Sequence, residues 1–229
     1  MSTASALPNV IRHIERVDPG VVAQAAQYPS SILADVAGRR GAMHGRIAPL
    51  APSMKFAGPA LTVEVRPGDN LMIHKALTMA QPGDVIVVDA GGDLTNALFG
   101  EIMTATAVAI GVAGIVLNGA VRDAHEIGQG EFPLYAAGVT HRGPYKDGPG
   151  EINVPIAIDG MVIEPGDLML GDADGLLCVP YDSLQSVLEA TLQKMAAEKK
   201  MLADIAAGKL DTAWIDATLR RIGCNPDPQ

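Results

Sequence analysis

Residues 98–123, LFGEIMTATAVAIGVAGIVLNGAVRD, decide the fold class. Gly100 opens a predicted helix, EIMTATAVAIG, which feeds a strand beginning at Gly114. Ile115, Val116 and Leu117 read as a buried run, and Asn118-Gly119 as a turn signal at its carboxyl end. In open α/β sheets ligands gather at that end of the strands. Arg122 and Asp123 follow within five residues, so both are delivered to the rim where the backbone leaves the sheet.

Working outward, strands are expected at 60–65, 85–89, 154–157 and 168–179, the last broken at Asp172 to Gly175 by a hairpin-type turn. SSILADVAG and NLMIHKALTMA read as short helices. Helices alternating with strands imply α/β layering, while DGMVIEPGDLMLGDADGLLCV reads as antiparallel hairpins. Pro-Gly-Asp occurs three times, at 67–69, 82–84 and 165–167, and reads as turn punctuation between strands. From Tyr181 onward, apolar residues at 184, 188, 195 and 202, with Gly208 as a stop, predict one long amphipathic helix capped by Asp182 or Ser183. LDTAWIDATLRRIGCNPDPQ adds a second helix before a Pro-rich end read as frayed. The expectation is one domain over 1–229, with an α/β core at 1–180 and C-terminal helices at 181–229.

A chain of 229 residues, 48% hydrophobic with 25 glycines and 3% aromatics, has the composition of an ordinary globular protein. Its net charge of −9 argues against broad contact with nucleic-acid phosphates, which would require a basic face. No segment reaches the ~18 consecutive apolar residues of a membrane span, and MSTASALPNVIRHIERVD lacks the pattern of an export signal. Cys178 and Cys224 have no partner at metal-ligand spacing and read as reduced thiols of a cytoplasmic protein.

Two constellations carry chemistry. Asp123 suits a single-carboxylate Mg²⁺ or Mn²⁺ site whose shell is filled mostly by water, and Arg122 beside it suits an oxygen that becomes an enolate, as in an α-keto acid. The plainer reading makes Asp123 the N-cap of the next short helix and leaves Arg122 in solvent. At Phe99-Gly100-Glu101-Ile102-Met103, the free N–H groups of a helix start form a cradle for a carboxylate. A crossover through one helix and one strand can return Glu101 and Arg122 to one sheet edge. Glu198 is out of pattern near an apolar stripe, and either pairs with Lys194 one turn back or aims across an interface. His74 could line a substrate pocket but reads more plainly as a packed or surface residue, while His125 and Glu126, directly after Arg-Asp, either support the site from behind or belong to a solvated face.

These motifs, with PGDNLMIHKAL (67–77), QPGDVIVVDA (81–90) and NVPIAIDGMVIEPGDLMLGDADGLLCVP (153–180), resemble the class II pyruvate aldolases of the RraA-like superfamily. Those enzymes act on 4-hydroxy-4-methyl-2-oxoglutarate and 4-carboxy-4-hydroxy-2-oxoadipate. The functional signature is an acidic residue, twenty intervening residues, then Arg-Asp, here Glu101, Arg122 and Asp123. The resemblance implies a compact β/β/α sandwich like the swivelling, phosphohistidine-type domains, assembled as homotrimers or homohexamers with active sites between subunits. It implies Asp123 as metal ligand, Arg122 on the pyruvyl oxygen, the backbone of Gly100, Glu101, Ile102 and Met103 on the carboxylate, and Glu101 with Glu198 of a neighbouring subunit holding waters that serve as acid and base. The implied reaction is retro-aldol cleavage through a metal-stabilised pyruvate enolate, with oxaloacetate decarboxylation as a side activity and no Schiff-base lysine. The sequence departs at Glu101, where the best-known aldolases carry Asp, and at Asn118, where many relatives carry an acidic or small residue. Other members of the superfamily are non-enzymatic inhibitors that dock on a ribonuclease and lack the Arg-Asp pair.

Overall fold

The structure, a computed structural model, describes residues 10–226; the export-signal reading and the frayed end fall partly outside that range. Two short helices, α1 (Pro19–Ala25) and α2 (Ser30–Val36), and a two-residue strand, β1 (Ala48–Pro49), lead into an alternation of β2 (Phe56–Val65), α3 (Leu71–Leu77), β3 (Val85–Asp89), β4 (Ala97–Phe99), α4 (Glu101–Ile110), β5 (Gly114–Val121), α5 (Ala124–Gln129) and β6 (Leu134–Val139). The second half is β7 (Gly150–Ile152), β8 (Ile156–Ile158), β9 (Met161–Ile163), β10 (Leu168–Asp172) and β11 (Gly175–Val179), followed by α6 (Leu184–Ala206) and α7 (Ala213–Arg221).

The fold is α/β, a nearly closed sheet with a long C-terminal helix. Strands β2, β3, β5 and β6 run parallel as neighbours, with β10 antiparallel on β2, β11 antiparallel on β10, and β1 antiparallel on β6. Between β11 and β1 the gap is bridged where Cys178 N–H donates to Gly41 O (2.8 Å) and Met43 N–H to Leu176 O (2.9 Å). Gly41 must be glycine there, because its φ is +78° and a Cβ would stand 2.0 Å from Cys178 O. Every residue of β5 is buried, as a parallel strand covered on both faces requires, and this explains why GIVLNGAV shows no alternation. β8 and β9 form a separate hairpin.

The alternating half and the antiparallel hairpins that include β9 follow expectation, but β1, β4, β6 and β7 are not foreseen, and neither Asp182 nor Ser183 caps the long helix. A 3₁₀ turn at 181–183 leads into α6 instead. Only the first half of α6 packs on the body: Leu184, Val187, Leu188 and Thr191 are buried, whereas Leu202 of the expected stripe is 67% exposed. No helix among the described residues is long and apolar enough to cross a membrane.

The three Pro-Gly-Asp turns are more than punctuation. Asp69, Asp84 and Asp167 are all buried, and each gathers distant chain. Asp69 accepts the N–H groups of Leu71, Asp147 and Gly148; Asp84 accepts Arg16 and Gln81 N–H; Asp167 accepts Glu164 N–H and Tyr181 N–H. A buried carboxylate without such donors would be costly, so these turns select one arrangement of the segments they join.

Tyr135 meets Phe56 edge-on at 5.3 Å, and its hydroxyl donates to Met54 O. A Cβ on Gly171 would lie 2.5 Å from the Phe56 ring and 2.9 Å from the Tyr135 ring. Gly171→Ala is therefore expected to destabilise the fold by about 1–3 kcal/mol, read as a lower thermal midpoint. An unchanged midpoint would contradict this packing.

Candidate functional site

The end of β5 and the start of α4 meet because β4 pairs in parallel with β5, Phe99 opposite Val121, and Arg122 N–H donates to Phe99 O at 3.0 Å. Asp123 then takes a left-handed conformation (φ +55°) ahead of α5. Its side chain does not cap that helix. Its Oδ2 instead accepts the N–H of Glu101, at 2.9 Å, in the first turn of α4. The negative carboxylate thus sits at a helix N-terminus, where exposed N–H dipoles favour it. Arg122 Nε is 3.6 Å from the same oxygen. Gly100 makes the approach possible: a Cβ there would stand 2.7 Å from Asp123 Oδ2 and 3.2 Å from Arg122 Nε.

A cavity of about 160 Å³ opens beside this junction, lined by Gly100, Met103, Arg122, Asn70, His74 and Lys146 among others. Asn70 Oδ1 and His74 Nε2 are both buried and without a hydrogen-bond partner. Both residues line the cavity, so two side chains that each carry a polar atom without a partner border one small space. Asn70 is fixed by its amide nitrogen, which donates to Leu98 O at 2.9 Å. Burial, and next the positive charge of Lys146, hold the His74 imidazole below its ordinary pKa, so it is neutral at neutral pH.

Lys146 arrives on a loop pinned to the Pro67-Gly68-Asp69 turn. Tyr145 N–H donates to Gly68 O, Asn70 N–H to Tyr145 O, and Asp69 takes two N–H groups from 147–148. Burial alone would raise the pKa of Asp69, but its three backbone donors and Arg66 outweigh that and keep it low. The carboxylate therefore stays charged, as the loop requires.

Of the expected site residues, the structure brings together Gly100, Ile102, Met103, Arg122 and Asp123. The cradle is smaller than expected, since Glu101 N–H is taken by Asp123, leaving those of Ile102 and Met103 as the first-turn donors without helical partners. Glu101 lines a separate groove with Glu126 and Glu131 and is not among the residues lining the cavity. Glu198 lines neither space and pairs with Lys194 at 3.2 Å, which also meets Asp35 of α2. Asn70 and Lys146 were not foreseen, and His74 was set aside; no spacing rule links 70, 74, 122 and 146, which only the fold brings together. Asn118 bridges Arg46 (2.6 Å) and Asp89 (2.7 Å), offering an acceptor to the first and a donor to the second. A carboxylate there has no donor for Asp89, a physical reason for the departure at this position.

No group of three or more His, Cys, Asp or Glu side chains able to hold a metal occurs among the described residues. What the chain offers is one carboxylate at a rim, 36% exposed, with one oxygen occupied by an N–H group. That donor set fits a hard divalent cation that keeps most of its waters, and would not fit Zn²⁺.

Comparison with known proteins matches residues 21–178 to the family model RraA-like, described as Aldolase/RraA. The chain belongs to the RraA-like family. A protein of Halalkalibacterium halodurans, provisionally named 4-hydroxy-4-methyl-2-oxoglutarate aldolase, is 39% identical over 178 residues, covering 78% of this chain and 85% of that one. The 4-hydroxy-4-methyl-2-oxoglutarate aldolase of Thermus thermophilus is 39% identical over 126 residues, or 55% of this chain and 76% of its own. Among solved structures, the RNA-processing inhibitor RraA from Thermus thermophilis superposes with a TM-score of 0.63 at 33% identity, covering 67% of this chain and 93% of that one. An uncharacterised Pseudomonas syringae protein reaches 0.75 at 25% identity, covering 85% and 96%. The RraA-like match ends at Cys178, so α6 and α7 lie beyond it.

NMR titration of His74 is expected to give a midpoint below the ordinary value of about 6.5, moving upward in Lys146→Met. Since the folded form resists protonation, acid below pH ~6.5 works against the folded state at this residue. A midpoint at or above 6.5 would contradict the buried, uncharged placement.

Proposed function

We propose that this RraA-like protein is a divalent-metal-dependent pyruvate aldolase. It cleaves 4-hydroxy-4-methyl-2-oxoglutarate to two pyruvates, and 4-carboxy-4-hydroxy-2-oxoadipate to pyruvate and oxaloacetate. The observation that carries this reading is a small cavity lined by Arg122, a helix start, and Asn70 and His74, each of which has a buried polar atom without a partner. Such a cavity suits a short dicarboxylate with a keto group.

In this reading the N–H groups of Ile102 and Met103 receive the pyruvyl carboxylate, and Arg122 donates to the keto oxygen as it becomes an enolate oxygen. Asp123 would hold Mg²⁺ or Mn²⁺, which when bound supplies a Lewis acid for that same oxygen. Lys146 and Asn70 hold the distal carboxylate, and neutral His74 adds a polar contact without adding charge. The proton of the 4-hydroxyl leaves to a water at the mouth of the cavity, to which Glu101 would have to turn from the groove side of the Gly100 junction and which Glu198 of a second copy in a homotrimer or homohexamer would complete. The C3–C4 bond breaks, its electron pair forms the enolate, and protonation at C3 yields pyruvate. Oxaloacetate, losing carbon dioxide from the same position, gives the same enolate, so decarboxylation accompanies cleavage.

A second reading, a regulator that binds a ribonuclease, draws on the likeness to the RraA inhibitor. Pyruvate release coupled to lactate dehydrogenase separates the two. Turnover with Mg²⁺ is expected from 4-hydroxy-4-methyl-2-oxoglutarate and from oxaloacetate, abolished by EDTA and by Asp123→Ala, and lowered about 10²–10³-fold in Arg122→Ala. Absence of turnover on either substrate, with no binding of pyruvate or oxalate, would sink the aldolase reading.

A further inference from the structure

β5 changes neighbours part-way along. On one side β3 accompanies it as far as Asn118, which stands opposite Asp89, and β4 takes over from Ala120. On the other side its pairing with β6 shifts register between Leu117 and Ala120. Asn118 and Gly119 thus sit at a break in both ladders, and breaks of this kind bend a strand and re-aim the side chains that follow. Both limbs of the Gly100–Asp123 junction start there. β5 runs on to Arg122 and Asp123, while residues 90–96 leave β3, loop out and return as β4 and Gly100. β4 is three residues long and pairs with β5 at two positions, so its own hold on the sheet is small.

Asn118 bridges the break. Its carbonyl accepts the N–H groups of Ala90 (3.2 Å) and Gly92 (3.1 Å), where the loop leaves β3. Its side-chain amide donates to Asp89 Oδ1 at 2.7 Å, and the same oxygen accepts Gly91 N–H at 2.9 Å. Gly91 and Gly92 turn here with φ of +66° and +73°, and a Cβ on Gly92 would stand 3.4 Å from Asn118 Oδ1. Asn118 is 4% exposed, so both halves of its amide need partners: Asp89 is the acceptor for one, and Arg46 Nη2, at 2.6 Å, is the donor for the other. Arg46 belongs to neither limb. It precedes β1, and its guanidinium is held from the far side by a two-pronged contact with Asp159 in the β8–β9 turn, Nη2 to Oδ1 at 2.7 Å and Nε to Oδ2 at 3.0 Å.

We propose that Asn118 and Arg46 are positioning residues of the Gly100–Asp123 junction. By fixing where the 90–96 loop leaves β3 relative to the end of β5, they set how the Glu101 N–H meets the Asp123 carboxylate. Neither lines the cavity, and both act through the two limbs. The β8–β9 hairpin is thereby linked to the junction through Asp159, Arg46 and Asn118 in series. This positioning does not depend on the reaction assigned above.

Amide hydrogen exchange of the full chain, read residue by residue by NMR, tests it. In Asn118→Ala and in Arg46→Met the Glu101 N–H is expected to exchange about 10-fold faster, the effect of losing roughly one hydrogen bond of local stability. The amides of Leu170 in β10 and Leu188 in α6 are expected to keep their wild-type rates. Arg46→Lys, which retains the charge without the planar fork, is expected to recover part of the protection at Glu101. Arg46 is partly exposed, so its variants keep the test open if Asn118→Ala fails to fold. Pyruvate release is expected to fall in the same order as protection at Glu101 falls. Equal acceleration of Glu101 and both distant amides makes the pair general stabilisers of the fold and overturns the proposal, as does unchanged Glu101 exchange in Arg46→Met. A wild type that releases no pyruvate, with the exchange pattern as expected, overturns the aldolase reading and supports the positioning.

Discussion

The carboxylate of Asp123 accepts the backbone N–H of Glu101 at 2.9 Å, and that hydrogen bond sets how the end of β5 meets the first turn of α4. It needs a residue without Cβ at position 100, a left-handed turn at 123, and parallel pairing of Phe99 with Val121. Each of these comes from a different part of the local sequence, and none suffices alone. With all three, an arginine, a carboxylate and the first-turn N–H groups converge at one edge of the sheet. The α4 helix dipole and the Arg122 guanidinium both favour a negative charge at this spot, which is what an enolate oxygen or a bound carboxylate presents.

The other wall of the cavity depends on a buried charge in a turn. Asp69 holds the 67–70 turn against the 145–148 loop through three backbone N–H groups, and this brings Lys146 near His74 and Asn70. The same device recurs at Asp84, which ties the N-terminal segment through Arg16, and at Asp167, which ties the chain entering α6. Three turns of identical sequence thus fasten three different pieces of chain, each at the cost of burying a carboxylate and each offset by the donors it collects.

Much of this is legible in the sequence. The continuous apolar runs of β3 and β5 and the intervening helix pattern define the parallel core, and the Gly100–Glu101 and Arg122–Asp123 pairs meet at one sheet edge. β6 was missed because LYAAGV is short and mixes small with large residues, so its burial is visible only once β5 lies beside it. Asn70, His74 and Lys146 were illegible as a group because their meeting depends on the Asp69 clamp, a long-range contact that no local pattern encodes. The long helix was read correctly in length but not in burial: periodicity reports that a face is apolar, not that the same chain covers it.

In the proposed reaction, the Gly100–Asp123 junction stabilises an enolate of pyruvate. Exchange of the pyruvate methyl protons for deuterium, followed by proton NMR with Mg²⁺, tests this directly, because it needs neither the distal carboxylate nor carbon–carbon cleavage. Exchange well above the Mg²⁺-only rate is expected for the wild type, with loss of that excess in both Arg122→Ala and Asp123→Ala. Wild-type exchange at background, or exchange undiminished in those two variants, would contradict it.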